Sequence, residues 1–263
     1  MRSAWLLAIL AACSIWSGCR GEGTPPQRPV KFVDLSPPLT GDTVRKQFGR
    51  KACEFFGLKL RSDFSPVRPP EEQRTFGFTY FEFLSHGGAH LDAAARLLRD
   101  GNRPAEVPLD KLYGWARVLD LRWHDRTSPI SITDLQNYKI KENEIILLYV
   151  GYTGAEGDDW PQYAYLSPQA AHWLAATGIR AIGMDTPSLG SLSEMAALME
   201  KNTAPDEVWA SHVAFFSKDI PVIEGLVNLD QLLGQPRAYF AGFPLPLSER
   251  SGAPVRAVGM IFE

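Results

Sequence analysis

The segment Ser85-His86-Gly87-Gly88-Ala89-His90-Leu91-Asp92 constrains this chain more than any other. It gathers two of the five histidines and a carboxylate around a Gly-Gly pair. Imidazole nitrogen and carboxylate oxygen suit Zn²⁺ or Mn²⁺, and no neighbouring cysteine offers a thiolate. Glycine permits unusual backbone angles, so a turn here can aim His86, His90 and Asp92 at one point. A helix would also place His86 and His90 on one face. Each glycine inside a helix costs about 1 kcal/mol, however, which favours a turn fed by a strand. The plain alternative is a histidine-rich surface loop.

The rest of the chain can house such a turn. It has 263 residues, 45% of them hydrophobic, which suits one globular domain with a sizeable core. A net charge of −3 implies no nucleic-acid partner. Residues 1–19 carry one Arg before an apolar run too short for an ordinary membrane span, followed by small residues, which reads as a secretory signal. The cysteines resemble a bacterial lipid-attachment signal, placing the anchor at Cys19, with Cys13 as the alternative and a plain cleaved signal or uncleaved anchor as the bland reading. The expected address is then periplasm or cell envelope, with membrane contact only through the lipid. Residues 20–30 read as a flexible tether, leaving 31–263 as the folded domain. Cys53 stands alone in that domain and reads as a small buried apolar residue.

Along the domain, strands are expected at 31–35, 75–84, 116–123, 144–150, 179–184, 220–223, 237–243 and 255–262. Helices are expected near 46–56, at 93–98, from Ser167 as cap through Ala176, at 206–217 and at 228–233. Such alternation argues for a mixed α/β domain. Residues 151–161, GYTGAEGDDWP, lack a lysine and carry three acidic residues, so they read as a loop bordering a pocket rather than a phosphate cradle. Glu224 lies in the apolar run 220–226, and a carboxylate inside a strand needs a partner charge or a metal. His124 and His172 read as structural or exposed.

His-Gly-Gly-Ala-His-Leu-Asp-Ala resembles the signature His-x-Gly-Thr-His-x-Asp-x-Pro-x-His of the cyclase-like metal-dependent hydrolases, which include bacterial kynurenine formamidase and isatin hydrolase. Asp34-Leu35-Ser36 is similar to that family's opening Asp-Leu-Ser-His, with Pro37 where His is usual. Residues 178–188, GIRAIGMDTPS, resemble its Gly-Asp-x-x-Ser segment, and residues 253–257, APVRA, its closing strand. Ser211-His212 and Ile223-Glu224-Gly225-Leu226 resemble its second ligand pair.

The resemblance implies a swivelling β/β/α fold with a mixed sheet, a homodimer, and one or two divalent ions. His86, His90 and Asp92 would hold the first ion. His212 and Glu224 would hold a second, with Asp92 bridging. The implied reaction is hydrolysis of a small amide, either an N-formyl aryl amine or a cyclic amide. The chain departs from the signature where Ala94-Ala95-Arg96 replaces Pro-x-His, whose His transfers the proton. Arginine stays protonated, so Arg96 cannot be a general base, though it can stabilise an oxyanion or clamp a carboxylate. Glu224 is the nearest substitute base. A facing carboxylate, with Asp158, Asp159 and Glu156 as candidates, or a ligand anion would balance the Arg96 charge. The rival reading is a non-catalytic protein of the same fold that binds a metal or a small anion, with Arg96 holding the anion.

Overall fold

The computed structural model describes residues 28–58, 83–157, 159–248 and 251–262. Among the described residues the strands are, in chain order, β1 (Lys31–Asp34), β2 (His90–Asp92), β3 (Tyr113–Asp120), the short β4 (Pro129–Ile130), β5 (Ile145–Tyr149), β6 (Tyr165–Leu166), β7 (Ala181–Met184), β8 (Val222–Glu224), β9 (Ala238–Pro244) and β10 (Gly252–Ile261). Strands β3, β5, β7 and β8 lie side by side and parallel. Strand β2 runs antiparallel beside β8, β10 antiparallel beside β2, and β9 antiparallel to both β10 and β3. The ring therefore closes, β1 extends it along β10, and β4 and β6 form a separate small pair. This is a mixed α/β domain with a mixed sheet, as expected, and the sheet closes on itself.

Two apolar layers follow from the two-residue period of the strands. Leu91, Ile145, Leu147, Ile223 and Phe240 point into the ring and pack there. Ile146, Leu148, Ile182, Met184 and Val222 point outward, under helices α2 (Ile132–Gln136), α3 (Pro168–Ala176) and α6 (Ala210–Phe216), numbered after α1 (Gly41–Phe55) and with α4 (Leu192–Glu200) and α5 (Pro205–Val208) between α3 and α6. The run 145–148 is apolar without a break because β5 is covered on both faces. A third cluster joins α1, α4 and α5 through Val44, Phe48, Cys53, Met195 and Val208. Cys53 is buried and free, as expected.

Helix α3 starts where expected, with the Ser167 side chain accepting from the Ala170 N–H and Pro168 in the first turn. Other boundaries differ. Helix α1 begins at Gly41 rather than near residue 46, capped by Thr40 and kinked at Gly49. The helix expected at 93–98 is a single 3₁₀ turn, Ala94–Arg96, because the chain folds straight back and the Ala95 N–H bonds to the Asn102 carbonyl. The helix expected at 206–217 is two helices broken at Trp209, whose backbone (φ −106°, ψ 27°) is not helical. The segment 228–233 holds a 3₁₀ turn, Leu229–Leu232. Residues 1–27, 75–82 of the expected aromatic strand, and Asp158 lie outside the described residues; Phe83 and Leu84 belong to no regular element. Among the described residues no helix is long and apolar enough to cross a membrane.

Candidate metal centre

The Gly-Gly turn is held from outside. The Gly88 N–H donates to Gln47 Oε1 at 2.8 Å, and Gln47 Nε2 donates to the Gly88 carbonyl at 3.2 Å. Gly88 sits at φ +68°, in the left-handed region. Gly225 passes so close that a Cβ there would lie 2.1 Å from the Gly88 oxygen. The turn delivers the chain into β2, where His90 and Asp92 share one face and Leu91 takes the other. In the β2–β8 ladder His90 stands opposite Glu224, so the carboxylate of β8 joins the same face. Helix α6 covers that face and lowers His212 onto it. His90, Asp92, His212 and Glu224 are all buried, at 2% exposure or less.

The five residues fall into two triads that share Asp92: His86, His90 and Asp92, and Asp92, His212 and Glu224. In the first, His86 Nδ1 lies 2.7 Å from Asp92 Oδ1, and His90 Nε2 lies 3.5 Å from the same oxygen and 3.3 Å from Glu224 Oε2. None of these approaches has hydrogen-bond geometry: His86 Nδ1, His90 Nε2 and Asp92 Oδ1 are buried polar atoms without a hydrogen-bond partner. The other nitrogen of each ring is engaged. His90 Nδ1 is 3.0 Å from the Gly88 carbonyl, and His86 Nε2 meets Ser251 Oγ. A carbonyl only accepts, so His90 keeps a proton on Nδ1, and Nε2 is the nitrogen that faces the cluster and would ligate once its own proton is released. Such outer partners are how metal-binding imidazoles are oriented.

In the second triad His212 Nε2 is 3.0 Å from Glu224 Oε1, which also accepts the Leu189 N–H at 2.6 Å. Asp92 Oδ2 accepts from Arg96 Nη1 at 2.7 Å. This corrects the expected charge balance: Arg96 is neutralised by Asp92 itself. Asp159 pairs instead with Lys51 at 2.9 Å, and Glu156 lies 3.8 Å from Arg126. The guanidinium carbon of Arg96 also stacks 4.1 Å from the centre of the Trp209 ring.

The electrostatics call for a cation. Burial disfavours charge on His90, yet interactions with Asp92 and Glu224 outweigh it and push the pKa up to about 9. Burial alone would raise Asp92, but Arg96 and His86 hold its carboxyl well below the usual range. Glu224 is held low as well: burial and the Asp92 charge oppose ionisation, and His212 and His90 overcome them. His86 is lowered, chiefly by burial, which leaves it neutral and able to ligate. Two ionised carboxylates, a neutral His86 and a His90 whose proton a metal would displace thus fit a borderline divalent ion such as Zn²⁺ or Mn²⁺.

The outlying expectations sort cleanly. The loop at 151–161 does border a cavity, of about 410 Å³, with Gly151, Tyr152, Gly154 and Trp160 in its wall. Asp185, in the segment 178–188, ties that loop down by accepting the N–H groups of Val150, Gly151 and Tyr152. Tyr163 in the cavity wall donates to the Gly190 carbonyl, next to the Leu189 that binds Glu224. His124 lies 3.4 Å from Asp134, His172 is exposed on α3, and neither belongs to either triad. Sequence reasoning missed Gln47, Ser251 and Trp209. They reach the site from 41, 165 and 113 residues away from Gly88, His86 and Arg96 respectively, too far for any local spacing to reveal.

Comparison with known proteins identifies the family of the chain. Residues 33–191, more than half of the chain, match the family model described as "Putative cyclase". The chain belongs to the cyclase family. Kynurenine formamidase from Bacillus anthracis is 28% identical over 228 residues, covering 87% of this chain and 96% of that protein. The Geobacillus thermodenitrificans kynurenine formamidase is 30% identical over 175 residues, covering 66% of this chain and 75% of that one. Among solved structures, isatin hydrolase A from Labrenzia aggregata superposes with a TM-score of 0.68 at 19% identity, covering 89% of this chain and 94% of the other. At that identity the superposition speaks for the fold. His90, Asp92 and Glu224 lie on strands, His212 on α6, and His86 on the turn that leads into β2.

Proposed function

We propose that this protein is a metal-dependent hydrolase of a small amide, an N-formyl aryl amine or a cyclic amide. The observation that carries the reading is the convergence of three partnerless ligand atoms, His86 Nδ1, His90 Nε2 and Asp92 Oδ1, in a chain similar to kynurenine formamidases over most of its length. His86, His90 and Asp92 would hold the ion, with Glu224 Oε2 beside them. When bound, a divalent ion supplies a Lewis acid for a carbonyl oxygen and makes water acidic enough to be useful near neutral pH.

The chain's own residues set the rest. Water adds to the amide carbonyl, the C–N bond breaks, and the departing nitrogen takes a proton. Arg96 stands where the family signature carries its proton-transferring histidine and cannot take a proton itself. Its role is to hold negative charge, either the Asp92 carboxylate or a developing oxyanion. The family proton relay must then run through another group; with Asp92 held by Arg96, Glu224 is the candidate carboxylate, although its Oε1 is committed to Leu189 and His212.

The test is turnover by metal-loaded protein on a panel of N-formyl aryl amines and cyclic amides. Hydrolysis should vanish on chelation, return with Zn²⁺ or Mn²⁺, and be lost in His90→Ala. Metal uptake without turnover on any amide would instead make the chain a binding protein for a small anion, with Arg96 as its clamp.

A further inference from the structure

We propose that the centre holds one metal ion, at His86, His90 and Asp92, and that the Arg96 guanidinium stands in for a second. The inference rests on the metal-binding part of the reading above and does not depend on which amide is cleaved.

The two triads look alike on paper, but their atoms are not in the same condition. In the first, all three inward-facing ligand atoms lack a hydrogen-bond partner. In the second, each is already engaged. Asp92 Oδ2 carries Arg96 Nη1 at 2.7 Å, His212 Nε2 and Glu224 Oε1 bind each other at 3.0 Å, and Glu224 Oε1 also takes the Leu189 N–H at 2.6 Å. Although His212 Nδ1, on the far side of its ring, has no partner, the atoms that face inward are open to a cation in the first triad and already engaged in the second.

Arg96 is not free to step aside. Its guanidinium lies on the Trp209 ring, 4.1 Å from the centroid, and Trp209 is fixed at the break between α5 and α6, with its edge against His212 at 5.3 Å. Stacking of this kind holds the planar cation in one orientation. An ion in the second triad would have to displace it from Asp92 or sit beside it among side chains that are buried to 2% exposure or less. Charge points the same way. Asp92 and Glu224 together carry −2, against which the guanidinium and one divalent ion already give +3. A second divalent ion would leave a large uncompensated charge in the interior, where screening is weak. The side chain that replaces the signature histidine thus sets the number of ions. It also leaves Asp92 with one oxygen for the metal and one for arginine, so Asp92 does not bridge.

Metal stoichiometry tests this without any assay of turnover. The full chain is stripped with chelator, titrated with Zn²⁺ or Mn²⁺ in a calorimeter, and analysed for metal per chain after desalting. Wild type should bind one ion tightly, Arg96→Lys one, and both Arg96→Ala and Arg96→Met two. Mn²⁺-loaded wild type should show the paramagnetic resonance of an isolated ion, and the charge-free variants that of an exchange-coupled pair. Two tightly held ions in wild type, or a coupled Mn²⁺ spectrum there, overturn the proposal while leaving a metal centre in place, even if neither charge-free variant folds. A single ion in folded Arg96→Met also overturns it, because arginine would not then be what excludes the second. No bound metal in wild type removes this inference and the metal-dependent function together.

Discussion

Strands β2 and β8 present two faces that share a backbone and differ in what they require. On the inner face Leu91 and Ile223 pack into the closed sheet and need nothing but neighbours. On the outer face His90, Asp92 and Glu224 stand on the same two strands, equally buried, and His90 Nε2 and Asp92 Oδ1 among them have no hydrogen-bond partner in the protein. The inner face contributes stability through apolar area removed from water. The outer face spends stability to bury charge, which persists only because Arg96, His212 and the outer hydrogen bonds offset it, and because a cation can complete it. Placing the polar cluster against the rigid apolar layer is what keeps ligand atoms from three chain segments at fixed distances.

The sharpest way to break the contrast is to change one residue on each face. Asp92→Ala removes the carboxylate shared by both triads and strands Arg96 among imidazoles. Tight metal uptake should disappear, and the metal-free protein should lose about 3–5 kcal/mol in chemical denaturation, the usual cost of leaving a buried charge unpaired. Leu91→Ala, one position away, should cost about 2–5 kcal/mol as a core truncation, yet still bind metal in the wild-type ratio when folded. If Leu91→Ala lost metal as completely as Asp92→Ala, the two faces would not be separable.

A second comparison concerns buried carboxylates. Asp92 and Glu224 have lowered pKa values, so their contribution to stability is present above about pH 4 and is lost as pH falls further. Asp185 behaves in the opposite sense. Burial pushes it up to about 6, against the pull of three backbone N–H groups. The folded state then keeps the proton longer than the unfolded chain, so its contribution is complete below about pH 4 and is lost as pH rises towards 6, to a ceiling of about 3 kcal/mol. In metal-free protein, the stability difference between wild type and Asp185→Asn should therefore shrink as pH rises from 4 to 6. A difference that stays flat would show that Asp185 ionises like an exposed carboxylate.

What could be read from the sequence follows the range of the interactions. The turn at Gly87-Gly88, the ligand triplet and the α3 cap are local, and each was legible from residue type and spacing. Strand β5 was legible because an unbroken apolar run has few alternatives. Glu224 announced itself as a carboxylate within such a run. The helix at Leu192–Glu200 escaped notice, as did the breaks at Arg96 and Trp209, which depend on chain reversal and tertiary packing. Arg96 was expected near the ligands from its position in the signature, and it does reach Asp92, but its partner was sought in the acidic loop. Spacing shows which side chains can meet. It does not show which of several nearby carboxylates will win, and here the carboxylate already buried at the site did.

The gentlest test of the outer face leaves every ligand in place. Ser251 enters the site from just before β10 and touches His86 Nε2, on the far side of the ring from the metal-facing Nδ1. Ser251→Ala removes only a hydroxyl. His86 is the least buried of the five ligands, so without that contact its ring can turn or exchange tautomers. Loss of such an outer partner typically weakens metal affinity about 10- to 100-fold. The apolar layer beneath is untouched, so the metal-free stability should change by less than about 1 kcal/mol. Competition titration against a chelator of known affinity reads the first quantity, and denaturant unfolding in excess chelator reads the second. An affinity equal to wild type would mean that packing alone orients His86. Weaker binding with unchanged metal-free stability would show that the outer face is tuned for the ion, independently of the core it rests on.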